Sequence, residues 1–344
     1  MKITPFLSIA FILVLAGCTN SSPTSPTSST SSTNSSSGGA ITNITINFYT
    51  HVGDLGTAGP GTADGQFSAP NDVLISADGA IYAVDAGNYR IQKFSSNGSF
   101  VAKWGSYGNI SSSLQFMSPT RLTTDEAGSL YVLDSYLARM VRCTTNGVYT
   151  ASIPNFIVTG GSAQETIQPS GLWVTGTNAY MIDYLGSYKI QRFDNLGNWI
   201  TNWTGTNMPG GGNFSFPRHI VSNGNFFYVY AGGTTVRRYN GNMSYASDLT
   251  LSTAPSSASG TAEEMVFDGS GNFFISSSSP AQISKYNSSG TLLGKWSKAG
   301  TNDLKSPRGI ALDATGRLYV ADNLANRVFI FAPYSSAVTN IETY

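Results

Sequence analysis

The chain has 344 residues, with 19 lysines plus arginines against 19 aspartates plus glutamates, so its formal net charge is zero. That balance argues against a nucleic-acid binder, which usually shows a basic excess or stripe. Charged residues make up only 11%, against 37 glycines, 18 tyrosines and 18 phenylalanines, a composition of strands and tight turns and not of a helical bundle. Two cysteines exclude a disulfide scaffold and a zinc site built of thiolates, and two histidines leave little room for a three-histidine metal centre.

Met1-Lys2 gives a short positive start, followed by a mostly apolar run from Phe6 to Leu15. The run is too short for a membrane span, which needs about 20 apolar residues, and it fits the hydrophobic region of an export signal. It ends in Leu15-Ala16-Gly17-Cys18. These four residues resemble the lipobox of bacterial lipoproteins. The resemblance implies a signal peptide over 1–17 and a lipid on the thiol of Cys18, holding the chain to a membrane. Anchoring by more than one acyl chain is stable, because each buried methylene contributes about 0.8 kcal/mol. Thr19 stands where aspartate commonly retains lipoproteins in the inner membrane, so the expected place is the outer membrane or the cell surface of the bacterial envelope. Residues 18–41 form a Ser/Thr-rich stretch with almost nothing to bury. Such a stretch cannot offset its ordering entropy and reads as a disordered tether, with a reach of roughly 25 Å.

Over 42–334 one motif is written six times. Its anchors, Pro70, Pro119, Pro169, Pro217, Ala262 and Pro307, are 45 to 50 residues apart. After each anchor comes an apolar run such as Val73-Leu74-Ile75 or Ile310-Ala311-Leu312, whose continuity suits a strand buried on both faces. A turn, an aromatic strand and a basic-aromatic strand follow. A fourth strand follows in five copies: Ser99–Trp104, Val148–Ile153, Asn198–Trp203, Met243–Leu251 and Thr291–Trp296. Four antiparallel strands at this period predict an all-β fold, a six-bladed β-propeller of four-stranded antiparallel blades. Asn97-Gly98, Asn146-Gly147 and Asn240-Gly241 fall where hairpin turns need positive φ. The sixth copy ends at Phe331 with no clear fourth strand, and Ile44–Val52 precedes the first copy. The prediction is that Ile44–Val52 closes the ring by completing the last blade. The other candidate partner is Ala337–Tyr344, within a segment (335–344) read as a tail.

The copies Pro70…Asp78-Gly79…Tyr82-Ala83-Val84-Asp85…Asn88-Tyr89-Arg90-Ile91…Phe94 and Pro307-Arg308-Gly309-Ile310…Tyr319-Val320-Ala321-Asp322…Arg327-Val328 resemble NHL repeats. They lack the Gly-His and Trp-Asp marks of WD40 blades. Ala231 and Ser277 stand where the motif has aspartate. Related six-bladed families include a zinc-dependent peptide-amidating lyase and calcium-dependent lactonases. The resemblance therefore brings in zinc or calcium under an enzymatic alternative only; no cofactor is expected otherwise. The lyase family takes its metal ligands from histidines near the channel, whereas this chain has only His51 and His219. Asn71, Asp72, Glu263 and Glu264 offer some of the six to eight oxygens that calcium needs. No Ser-His-Asp set, phosphate loop or H-E-x-x-H motif appears.

Asp85/Arg90, Asp134/Arg139, Asp183/Lys189 and Asp322/Arg327 recur at matched positions, which marks a blade device tying one strand to the next and not a unique active site. Trp104, Trp203 and Trp296 share a register on the fourth strand and are expected to cover blade edges; the other reading is a carbohydrate-stacking platform. Cys143, in place of an aromatic, reads as a small buried residue. The informative positions follow the anchors: Asn71-Asp72, Thr120-Arg121, Ser170-Gly171, Arg218-His219, Glu263-Glu264 and Arg308-Gly309. They begin the innermost strands, should ring one mouth of the central channel, and differ between copies while the apolar residues behind them agree. The expected ligand-binding set is Asn71, Asp72, Arg121, Arg218, His219, Glu263, Glu264 and Arg308, the arginines for acidic groups and the glutamates for basic ones. The function expected is that of a lipid-anchored monomeric binding module for a protein, peptide or glycan. The alternative is a metal-dependent lyase or lactonase-like enzyme with its site at the same mouth.

Overall fold

A computed structural model describes residues 44–56, 60–153, 169–183, 189–194, 198–203, 217–255 and 262–338. The export signal, Cys18, the tether and residues 339–344 lie outside the described residues. The described chain folds into six four-stranded antiparallel sheets arranged as the blades of a propeller. The innermost strands are Pro70–Ile75, Pro119–Thr124, Pro169–Thr175, Ile220–Ser222, Ala262–Phe267 and Pro307–Leu312. Five begin on the anchor residue. In blade four the strand begins three residues after Pro217 and is the shortest of the six.

The core lies in the seams between blades. Six clusters of buried apolar side chains each join one sheet to the next around the ring. This arrangement explains the continuous apolar runs: Ile81–Asp85, Leu130–Asp134 and Leu318–Asp322 are buried at every position because both faces meet a neighbouring sheet. The three tryptophans belong to these seams. Trp104, for example, lies against the turn of the next blade, where a Cβ on Gly147 would come within 2.5 Å of its ring. Cys143 is fully buried beside Trp104, and burial pushes its thiol up to about 11.

The first strand closes the ring. Ile44–Leu55 pairs antiparallel with Arg327–Val338, Ile44 opposite Val338 and Leu55 opposite Val328, with a bulge between His51 and Gly53. The partner strand therefore runs on through Pro333 to Val338. Tyr49 fixes the closing strand from the side. Its ring stacks on Trp296 at 5.5 Å and 3°, and its hydroxyl donates to the Gly316 carbonyl at 2.9 Å. Asp322, Arg327 and Leu55 lie at the end of the blade that carries Pro307, whereas Ile44 lies at the far end.

The Asp/Arg pairs of blades one and two fasten the long loop that enters each of those blades. Asp85 accepts Arg90 Nε at 2.7 Å and the Ser68 amide at 2.7 Å, while Arg90 donates to the carbonyls of Thr62, Ala63 and Gln66. Asp134 accepts the amides of Met117 and Ser118. In blade six the expected pair is replaced. Asp322 accepts the amides of Lys305 and Ser306, and Arg327 reaches Asp54 on the closing strand at 2.9 Å, where Asp54 also meets His51 Nε2 at 2.6 Å. The physical reason is that an acidic residue on the added fourth strand competes for the guanidinium.

The turns correct one more expectation. Gly98 and Gly147 take positive φ, +87° and +75°, but in the turn containing Asn240-Gly241 the left-handed residue is Met243 at +63°. Both turn types close with the fourth residue's amide bonded to the first residue's carbonyl, Gly98 to Ser95 and Met243 to Asn240. Asn240 is thus the first residue of its turn, and the Asn-Gly pair is out of step with the others. The fully buried Met243 side chain packs in the seam between blades three and four, which offsets the cost of a non-glycine in this region.

Candidate functional site: the channel mouth

In five of the six inner strands the pairing slips just after the anchor, between Pro70 and Asp72, Pro119 and Arg121, Pro169 and Gly171, Ala262 and Glu264, and Pro307 and Ile310. Such a bulge re-aims the residues it contains. The first residue after each anchor faces the mouth. Asn71, Thr120, Ser170, Arg218, Glu263 and Arg308 all line one cavity of about 120 Å³, together with Arg121, Ser135 and Pro169. That volume is the share of about four waters.

The second residues make the floor. Arg121 crosses the channel: Nε donates to the Ser170 carbonyl at 3.0 Å, Nη2 to the Glu263 carbonyl at 3.1 Å, and Nη1 lies 3.5 Å from Glu264 Oε2. Asp72 accepts the Val73 amide at 2.8 Å and the Leu122 amide at 2.7 Å. Glu264 accepts the Ile310 amide at 3.3 Å and shares a hydrogen bond with Asp72. Burial first, then the charge of Asp72, pushes the Glu264 carboxyl well above the usual range. Burial also raises Asp72. Burial acts to lower Arg121, but Glu264, Asp72 and Glu263 outweigh it and hold the guanidinium charged. His219 accepts the Met265 amide on Nδ1 at 3.5 Å and places Nε2 3.3 Å from Glu264 Oε1. Burial, aided by Arg121, pushes it down to about 3, so it is neutral.

Packing dictates two of the second positions. A Cβ on Gly309 would lie 2.3 Å from Asp72 Oδ1 and 2.4 Å from its Cα, and one on Gly171 would lie 2.6 Å from the Arg218 carbonyl. The glycines are there because backbone from the next blade passes that close.

At the wall, Glu263 accepts Ser278 Oγ at 2.8 Å and lies 3.5 Å from Arg218 Nη1. Arg308 Nη1 reaches Asn71 Oδ1 at 3.3 Å, and the same oxygen accepts Asn323 Nδ2 at 2.8 Å. Ser135 Oγ donates to the Pro169 carbonyl at 2.8 Å. Ser135, Ser278 and Asn323 were not singled out from sequence. Each follows the last residue of a second-strand motif, Asp134, Ser277 and Asp322, and that shared place is the signal that identifies them.

The donors here do not fit a metal ion. Both Asp72 oxygens accept amides, Glu263 is held by Arg218 and Ser278, Glu264 is held by Asp72 and Arg121, and His219 Nδ1 is taken. Three guanidinium groups stand among them, and no group of three His, Cys, Asp or Glu among the described residues is placed to hold a metal.

The NHL repeat profile matches residues 304–331, the last copy of the motif. No curated protein matches the sequence. A streptogramin B lyase structure is similar at 11% identity and a TM-score of 0.56, covering 85% of this chain and 98% of that one. A catalytically inactive virginiamycin B lyase from Staphylococcus aureus with quinupristin is similar at 14% identity and a TM-score of 0.51, covering 85% and 88%. A gluconolactonase from Xanthomonas campestris is similar at 12% identity and a TM-score of 0.58, covering 83% and 95%. At these identities the likeness is one of fold. The chain is a six-bladed β-propeller with an NHL repeat in its last blade.

Proposed function

We propose that the protein is a lipid-anchored binding module of the bacterial envelope, with its site at the channel mouth. The observation that carries this reading is the single cavity walled by six side chains that differ from blade to blade on an otherwise repeated frame. A concave place with a few convergent polar groups is where a ligand binds. Arg218 and Arg308 supply the donors for an acidic group, and Glu263 between them supplies an acceptor. Leu15-Ala16-Gly17-Cys18 supports the anchor, with the lipid on Cys18. The register of the closing strand brings the chain in at Ile44 on the far face, so a tether upstream of it starts from the side away from the mouth.

A photo-crosslinking residue placed at Ser170 of the full chain, in a bacterial envelope, is expected to capture a partner. The same residue at Ala246, exposed on the outer strand of blade four, is not. Equal capture at both places, or none at Ser170, would overturn the reading.

The lyase and lactonase structures share the fold, and the alternative of a metal-dependent enzyme rests on that likeness alone. The commitment of Asp72, His219, Glu263 and Glu264 to one another and to backbone amides argues against it. Elemental analysis of the purified chain is expected to find no bound calcium or zinc, and a chelator is expected to leave its melting temperature unchanged. One equivalent of either metal, lost together with stability on chelation, would favour the enzyme.

A further inference from the structure

We infer that the mouth takes the side-chain carboxylate of a glutamate on a loop of a protein partner, with Tyr136 and Leu324 receiving the apolar residues beside it. This rests on the reading of the mouth as a binding site and goes on to name what enters it.

Unmet donors are the first argument. Arg121 is committed to the carbonyls of Ser170 and Glu263 and to Glu264, and Arg218 meets Glu263. Arg308 forms no ion pair among the described residues. Its Nε is buried with no hydrogen-bond partner among the described residues, and its Nη1 competes with Asn323 for one oxygen of Asn71. Burial lowers its pKa, Glu263 only partly offsets this, and Arg121 and Arg218 lower it further. A small turn of the guanidinium brings Nε and a terminal nitrogen to bear on a carboxylate, the two-pronged contact that suits arginine.

Size is the second argument. About 120 Å³ admits a carboxylate on one or two methylenes, in place of about four waters.

The surroundings are the third. Tyr136 is 71% exposed and Leu324 is 63% exposed. They occupy equivalent turns of blades two and six, each one residue beyond a side chain that braces the mouth, Ser135 and Asn323. Arginine inside and exposed aromatic and aliphatic side chains at the rim is the composition of a protein-binding hot spot.

The test uses the purified full chain and two libraries of disulfide-cyclised heptapeptides, one of all residues and one without aspartate or glutamate. Binders are expected from the first library only, with glutamate in common. They should weaken at least about tenfold when that glutamate becomes glutamine, and likewise on Arg308→Gln, with Arg308→Lys losing less. Circular-dichroism melting of each variant separates lost contacts from lost fold. Binders without an acidic residue, or binders indifferent to Arg308→Gln, would overturn the inference. So would stronger competition by glucuronate, or by a linear peptide through its free C-terminus. If such binders are nonetheless abolished by Ser170→Trp, which fills the cavity, the mouth remains a binding site and only the glutamate is lost.

Discussion

Burial of His219 couples stability to acid. Its pKa falls from the ordinary 6.5 to about 3 on folding, so the unfolded chain takes up the proton first. The stability this contributes is complete above pH 6.5 and is lost as pH falls toward 3, at up to about 1.4 kcal/mol per pH unit. Urea midpoints at pH 7 and pH 4 are expected to differ less in His219→Gln than in the parent chain; an unchanged difference would mean that another group controls this loss. Gly309 belongs to the same scale. Gly309→Ala drives a Cβ onto the Asp72 backbone and is expected to cost about 2–3 kcal/mol. Gly294→Ala, which meets nothing within 4 Å, serves as the near-neutral control in the same melting experiment.

At the scale of the element, the closing strand is the part whose loss reaches furthest. Tyr49→Ala removes the stack on Trp296, the edge contact with Phe274 and the bond to Gly316. The expected cost is about 2–3 kcal/mol, read from the denaturant midpoint. Deleting residues 44–52 is expected to abolish cooperative unfolding altogether. The strand could be foreseen because the sixth copy lacked a fourth strand, and local signals of this kind carried most of the fold: anchors, apolar runs, Asp-Gly turns. What the sequence did not reveal was distance. Arg327 leaves Asp322 for Asp54, 273 positions away, and Arg121 meets Glu264 across 143 positions. The residues of the mouth were legible by comparing copies. Which of them point into the cavity and which neutralise one another beneath it depends on a bulge in five of the six inner strands, and hydrophobic pattern does not record a bulge.

For the whole molecule, the blades share one hydrophobic interior divided into six seams, and ring closure leaves no open seam. The antiparallel register of the first and last strands also has a mechanical consequence. A load drawn between a membrane anchor at the N-terminus and a partner seated at the mouth runs along the axis of Ile44–Leu55. It therefore shears all eleven residue pairs with Arg327–Val338 together. A load drawn between the two chain ends starts at Ile44 and Val338, which lie side by side, and peels the same pairs one after another. Single-molecule pulling from the N-terminus against Ser170 should thus need a higher rupture force than pulling from the N-terminus against the C-terminus. Along that axis the closing strand resists as a whole, whereas from its free end it gives way pair by pair.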